Sequence, residues 1–286
     1  MYQFPIGVML ESFRLPEVEA IEKAAEIGAK GIQMYATKGA HAPENMTTEA
    51  RRQLLDVMKS NGLVFSALCG DLGKGFGNPE LNPALIEKSK RIVEMALELE
   101  TNIITTHIGV VPTDPSHPRY AIMQDACGEL AEFADSVGAH FAIETGPETS
   151  AVLKGFLDGL HSTGVSVNLD PANLVMVTGD DPVKAVHTLK KYIVHTHAKD
   201  GIKLKESNPE VVYHVVPKPE DPLLQGPYFK EVALGTGSVP FPAYLKALEE
   251  IGYKGFLTIE RECGENRVKD IVTAKNYLTS VIEANS

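Results

Sequence analysis

Eight short apolar runs alternate with eight helix-period stretches along the chain, and this alternation constrains the fold more than any single motif does. The runs are Ile6–Leu10, Gly31–Tyr35, Leu63–Cys69, Asn102–His107, His140–Glu144, Val165–Asp170, Tyr192–His197 and Gly255–Glu260. Helix-period stretches follow them at about 16–27, 47–61, 84–100, 119–138, 149–162, 181–191, 239–252 and 267–283. In the first unit Pro16 suits a first helical turn. Val18, Ala20, Ile21, Ala24, Ala25 and Ile27 share one apolar face, and Gly28 supplies a left-handed cap. A strand that returns after such a helix implies a parallel crossover. Eight crossovers in 286 residues predict an α/β protein, a single (β/α)8 TIM barrel spanning residues 1–286 as one domain. A doubly wound open sheet is the rival, but no G-x-G-x-x-G follows an early strand. One connection breaks the rhythm. At about 201–238 the chain is rich in Lys, Glu and Pro, too long for an idle connector, and it follows the seventh strand on the face where barrel sites lie. It reads as an insertion that serves as a lid or subunit contact.

Composition narrows the partners. Lys and Arg number 27 against 38 Asp and Glu, a net charge of −11 with no basic block, so neither nucleic acid nor an anionic membrane has an electrostatic hold. With 43% hydrophobic and 23% charged residues the chain is globular. Cys69, Cys127 and Cys263 lie far apart and fit neither a disulfide framework nor a C-x-x-C site. The start, MYQFPIGVMLESFR, lacks a basic beginning, and Glu11 and Arg14 interrupt its apolar run after Leu10, so no signal peptide is expected; no run approaches the roughly 18 apolar residues of a membrane span. A cytoplasmic location is expected.

Chemistry concentrates where the strands stop. His107, Glu144, Asp170, His197 and Glu260 terminate the fourth to eighth runs in order, and in a barrel all five side chains point into one mouth. Singly, such residues are often helix caps or satisfied core histidines. Together they form an oxygen and nitrogen set suited to a divalent cation, without which bunched carboxylates repel. Hard oxygen ligands favour Mn²⁺ or Mg²⁺; the imidazole also admits Zn²⁺ or Co²⁺.

The ordered segments IETG (143–146), NLDPAN (168–173), HTHAKD (195–200), LGTGSVPF (234–241) and TIERE (258–262) resemble the xylose isomerase-like superfamily of sugar and sugar-phosphate isomerases and epimerases over nearly the whole chain. Ketose 3-epimerases and inosose-type enzymes of that superfamily hold one metal through Glu, Asp, His and Glu. The resemblance therefore implies Glu144, Asp170, His197 and Glu260 as ligands of one divalent ion, with Glu144 and Glu260 also acting as acid and base. His197 is preferred to His195 because the ligand histidine stands two places before Lys-Asp, here Lys199-Asp200; His195 lies one layer deeper and packs behind it. His107 and Lys199 belong with the substrate-binding residues. Asn173 stands where relatives often carry His, and an amide can hydrogen-bond a hydroxyl but cannot shuttle a proton. Glu148 either matches a second substrate-facing carboxylate or sits in a first helical turn.

An α-hydroxycarbonyl chelated by such a cation becomes acidic between its two oxygens, and deprotonation gives a cis-enediolate. Proton return to the opposite face epimerises; return to the neighbouring carbon isomerises. The expected partner is a small carbohydrate, with a homodimer or homotetramer as the assembly such barrels commonly form. The main alternative is a dehydratase or other lyase on a keto-sugar or cyclitol, in which the enolate expels a β-hydroxyl. A DNA-repair enzyme of the endonuclease IV type is remote: Cys69 and Asn173 replace ligand histidines, and the charge is unfavourable. Residues 235–238, Gly-Thr-Gly-Ser, read either as a phosphate cradle or as a glycine-rich approach to a helix capped by Ser238. Lys74, within GDLGKGFG, is placed to reach an anionic substrate.

Overall fold

Buried, largely uncharged strand segments form the staves of a closed parallel barrel. The computed structural model describes residues 3–221 and 225–285. Its elements are β1 (Ile6–Met9), α1 (Glu17–Glu26), β2 (Gly31–Tyr35), α2 (Thr48–Ser60), β3 (Val64–Cys69), α3 (Asn82–Glu98), β4 (Ile103–Thr106), α4 (Pro118–Ser136), β5 (His140–Glu144), α5 (Ser150–Asp158), β6 (Val165–Leu169), α6 (Pro171–Asn173), α7 (Pro182–Leu189), β7 (Ile193–Ala198), β8 (Asp200–Lys203), α8 (Pro209–Val212), β9 (Phe229–Val232), α9 (Phe241–Glu250), β10 (Leu257–Ile259) and α10 (Arg267–Ala284). The barrel runs β1-β10-β7-β6-β5-β4-β3-β2 and closes on itself, while β8 and β9 pair outside it as an antiparallel ribbon. The protein is a TIM barrel of the α/β class.

Each alternating unit predicts a strand and a helix that are present, and the differences lie at their ends. The fourth, sixth and eighth runs stop at Thr106, Leu169 and Ile259, so His107, Asp170 and Glu260 each sit one residue beyond their strands. On α1 the buried face is Ala20, Ile21 and Ala24; Val18 is exposed, and Pro16 precedes the helix as its cap. Among the described residues no helix is long and apolar enough to cross a membrane.

The segment after β7 is built rather than slack. Strands β8 and β9 pair from Asp200–Val232 to Lys203–Phe229, with α8 between them in sequence; residues 222–224 of the insertion lie outside the described residues. At its root the buried Asp200 carboxylate accepts the N–H groups of Gly201 (2.9 Å), Gly235 (3.0 Å), Gly237 (2.8 Å) and Val239 (3.1 Å). This overturns the phosphate-cradle reading of residues 235–238, while their reading as a glycine-rich approach to a helix stands without the Ser238 cap. The N–H groups a phosphate needs are already taken by a carboxylate of the same chain. Ser238 does not cap α9, whose cap position is Pro240, and its N–H bonds Gly201 instead. A Cβ on Gly237 would lie 2.2 Å from the Asp200 oxygen, so glycine is what lets the loop wrap the acid so closely.

Candidate active site

Four side chains meet at the C-terminal end of the barrel. Glu144 closes β5, Asp170 follows β6, His197 lies near the end of β7 and Glu260 follows β10. All four are buried, and one ligand atom from each lies within 4.8 Å of all the others. His197 Nδ1 is 3.2 Å from Asp170 Oδ2, 3.3 Å from Glu260 Oε2 and 3.5 Å from Glu144 Oε1. Asp170 divides its carboxylate: Oδ1 accepts the Asn173 N–H (2.9 Å) to start α6, while Oδ2 faces His197. The capping reading of this residue therefore holds on one oxygen, and the other is left to face His197.

The electrostatics fit a cation. Burial alone raises the Glu260 carboxyl, but Lys199 and His197 outweigh it and hold the group well below the ordinary carboxylate range. At Glu144 burial is likewise outweighed, by His107 and His197, leaving that pKa lowered. Burial depresses His197, yet Glu260 and Glu144 reverse the effect and raise it well above the usual histidine value. Three carboxylates thus surround one imidazole and favour its protonated form. A divalent ion at the same point would relieve the same repulsion, and three oxygens plus one imidazole nitrogen are a suitable donor set.

A polar layer beneath these four side chains holds them. Gln33, on β2, accepts from His197 Nε2 through its Oε1 (3.0 Å) and donates to Thr105 Oγ1 (2.9 Å). This keeps a proton on Nε2 and presents Nδ1 to the carboxylates, which selects the nitrogen available for ligation. Asn168, on β6, donates to Glu144 Oε2 (3.1 Å) and accepts from His195 Nδ1 (2.9 Å), whose Nε2 in turn accepts from Thr258 (2.9 Å). Burial lowers the His195 pKa, so this ring is a neutral strut behind His197.

The sequence reading missed Gln33 and Asn168. Their signal was available: a polar residue between apolar neighbours in a buried strand needs a partner, as Gln33 does in GIQMY and Asn168 in VSVNL. Tyr213, from the insertion, was also missed. Its ring centroid is 5.4 Å from that of His107 at the mouth. Gly146 makes room for it: with φ +139°, a Cβ there would lie 2.5 Å from Asn173 and 2.8 Å from the Tyr213 hydroxyl.

The remaining predicted residues separate into two groups. His107 Nε2 lies 3.5 Å from Glu144 Oε1, Asn173 Nδ2 donates to the same oxygen (3.1 Å), and Lys199 Nζ donates to Glu260 Oε2 (3.0 Å). These three line a cavity of about 660 Å³ together with Glu144, Glu260 and Tyr213. Glu148 is not brought to that cavity. It precedes α5, whose cap is Thr149, so it is not a first-turn residue either; its Oε2 accepts the buried Val111 N–H (3.1 Å), and it borders a separate cleft. Lys74 is exposed on its loop and borders an adjoining cavity rather than this one.

The family model for the xylose isomerase-like TIM barrel matches residues 21–281. The chain belongs to this family. Among xylose isomerase-like structures, a xylose isomerase domain protein from Planctomyces limnophilus is 26% identical and covers 99% of each chain, with a TM-score of 0.80. A D-tagatose 3-epimerase-like protein, 19% identical with a TM-score of 0.73, shares the fold over 99% of this chain and 100% of its own. An inosose dehydratase from Lacticaseibacillus casei is 24% identical over 176 residues, 59% of this chain and 56% of that one.

Proposed function

We propose that the protein is a divalent-metal-dependent isomerase or epimerase of a small sugar, keto-sugar or polyol derivative. One observation carries this reading: Glu144 and Glu260, three staves apart around the barrel, both face His197 Nδ1, at 3.5 Å and 3.3 Å, and both have a lowered pKa, Glu144 beside His107 and His197 and Glu260 beside Lys199 and His197. Two carboxylates so placed can take a proton from one face of a carbon and return it to the other. Glu144, Asp170, His197 and Glu260 would hold the ion, and the hard donors favour Mn²⁺ or Mg²⁺ over Zn²⁺ or Co²⁺. Such an ion, when bound, supplies Lewis-acid stabilisation of the charge that develops as the substrate α-carbon is deprotonated. His107 and Asn173 offer hydrogen bonds to substrate hydroxyls, and Lys199 keeps Glu260 ionised. The free thiols Cys69, Cys127 and Cys263 support a reducing, cytoplasmic setting.

A dehydratase is the second reading, favoured by the Lys199 ammonium beside Glu260, which can protonate a departing hydroxyl, and by the likeness to an inosose dehydratase. Incubating metal-reconstituted protein with ketoses, keto-sugars and inososes in D₂O separates the two. Isomerisation adds deuterium without other mass change, whereas dehydration removes a water. Chelation, Glu144→Gln and Glu260→Gln should each cut turnover by about 10²–10⁴-fold; full activity in a folded variant refutes the acid–base assignment.

A further inference from the structure

The mouth has more room than a free sugar needs. A second cavity of about 570 Å³ adjoins the one of about 660 Å³, and Asp71, His107, Val212 and Tyr213 border both. Either volume alone is in the range that encloses a drug-sized ligand, which is larger than a monosaccharide. The second cavity also differs in chemistry. Its inner wall carries the buried Ile108, Val110 and Met123. Its rim carries Leu81 and Val215, 44% and 37% exposed, two of only seven large hydrophobic residues exposed among those described. They come from unrelated parts of the chain, Leu81 from the approach to α3 and Val215 from the insertion, yet face one space. Lys74 stands at the same opening and forms no ion pair among the described residues. Apolar side chains left open on two converging segments, continuous with a polar catalytic mouth, suit a ligand with one polar and one apolar half.

We propose that the substrate is a glycoside of a keto-sugar, whose ring ketone acidifies the neighbouring carbon while the anomeric carbon stays locked: the sugar unit occupies the carboxylate-lined mouth, and a mainly apolar aglycone lies in the side cavity between Leu81 and Val215, with Lys74 at its outer edge. The His107–Tyr213 ring pair, with centroids 5.4 Å apart, then stands where the two units join. This proposal rests on the mouth being a sugar site, and it names the substrate class for that site.

Phenyl β-D-glucoside and free glucose are the probes, titrated calorimetrically against the metal-reconstituted protein and against Leu81→Asp and Val215→Asp. Both substitutions sit at exposed positions outside the mouth. Wild type should bind the glycoside at least tenfold more tightly than glucose, and either substitution should erase that difference while leaving glucose binding and free-sugar deuterium exchange unchanged. Equal affinity for the two probes in wild type, or substitutions that weaken both probes alike, overturns the proposal even if exchange on free sugars proceeds. A preserved glycoside preference without exchange on any sugar instead leaves the side cavity standing and overturns the isomerase reading.

Discussion

Glu148 makes the pH dependence of stability a test of the barrel's internal electrostatics. Its carboxyl is buried; Oε2 accepts one N–H from Val111, and Oε1 has no hydrogen-bond partner among the described residues. Burial pushes its pKa from the ordinary 4.5 up to about 8, against the opposing pull of the Val111 hydrogen bond. Below pH 4.5 the group is protonated in both folded and unfolded chains and has no effect. From there to about pH 8 the unfolded chain releases the proton while the folded one keeps it, so stability falls by about 1.4 kcal/mol per pH unit and the loss saturates near 5 kcal/mol. Glu148→Gln keeps the oxygen that accepts from Val111 and removes the titration. The unmatched amide adds a pH-independent offset, which cancels when two pH values are compared. Urea unfolding of wild type and variant at pH 5.5 and 7.5 should therefore show the variant's relative stability increasing by about 2.5 kcal/mol at the higher pH. A difference constant within about 0.5 kcal/mol across that interval would falsify the burial argument, because every other titrating group is common to both proteins.

Three further outcomes follow from the site. Gln33→Leu removes the acceptor that keeps a proton on His197 Nε2, so calorimetry should show Mn²⁺ affinity reduced about 10–100-fold; unchanged affinity contradicts the role assigned to Gln33. Lys199→Met removes a large contribution that holds Glu260 low, so the acidic limb of the pH–rate profile should move to higher pH; an unmoved limb excludes Glu260 as the group titrating there. Asp200→Ala strips a shared acceptor from four backbone N–H groups and should cost about 3–5 kcal/mol in chemical denaturation, with phosphate providing no rescue. Restoration by phosphate would revive the cradle reading of residues 235–238.

The architecture was legible because a barrel repeats one signal eight times, and an error of a residue or two at any boundary leaves the count intact. The convergence of Glu144, Asp170, His197 and Glu260 was legible for a related reason: barrel strands end at a common face, wherever the individual strands begin. What escaped was recognition between distant segments. Gln33 meets His197 across 164 positions, and nothing local to GIQMY names its partner. Asp200 sits in the same short motif as His197 and Lys199, yet its carboxylate turns to the backbone of residues 235–239. The glycine-rich loop has the composition of an anion nest; the anion it encloses was already in the chain.

That enclosure separates two parts of the molecule that are adjacent in sequence. Lys199 serves the mouth, and the next residue clamps the root of the insertion to the approach to α9. Beyond the β8–β9 ribbon, residues 204–221 carry Val212, Tyr213 and Val215 over the cavities. Mutation can lengthen, shorten or re-side that outer arc without moving Glu144, Asp170, His197 or Glu260. In evolutionary terms the clamp makes substrate range a modular trait, free to drift while the carboxylate chemistry beneath it is preserved.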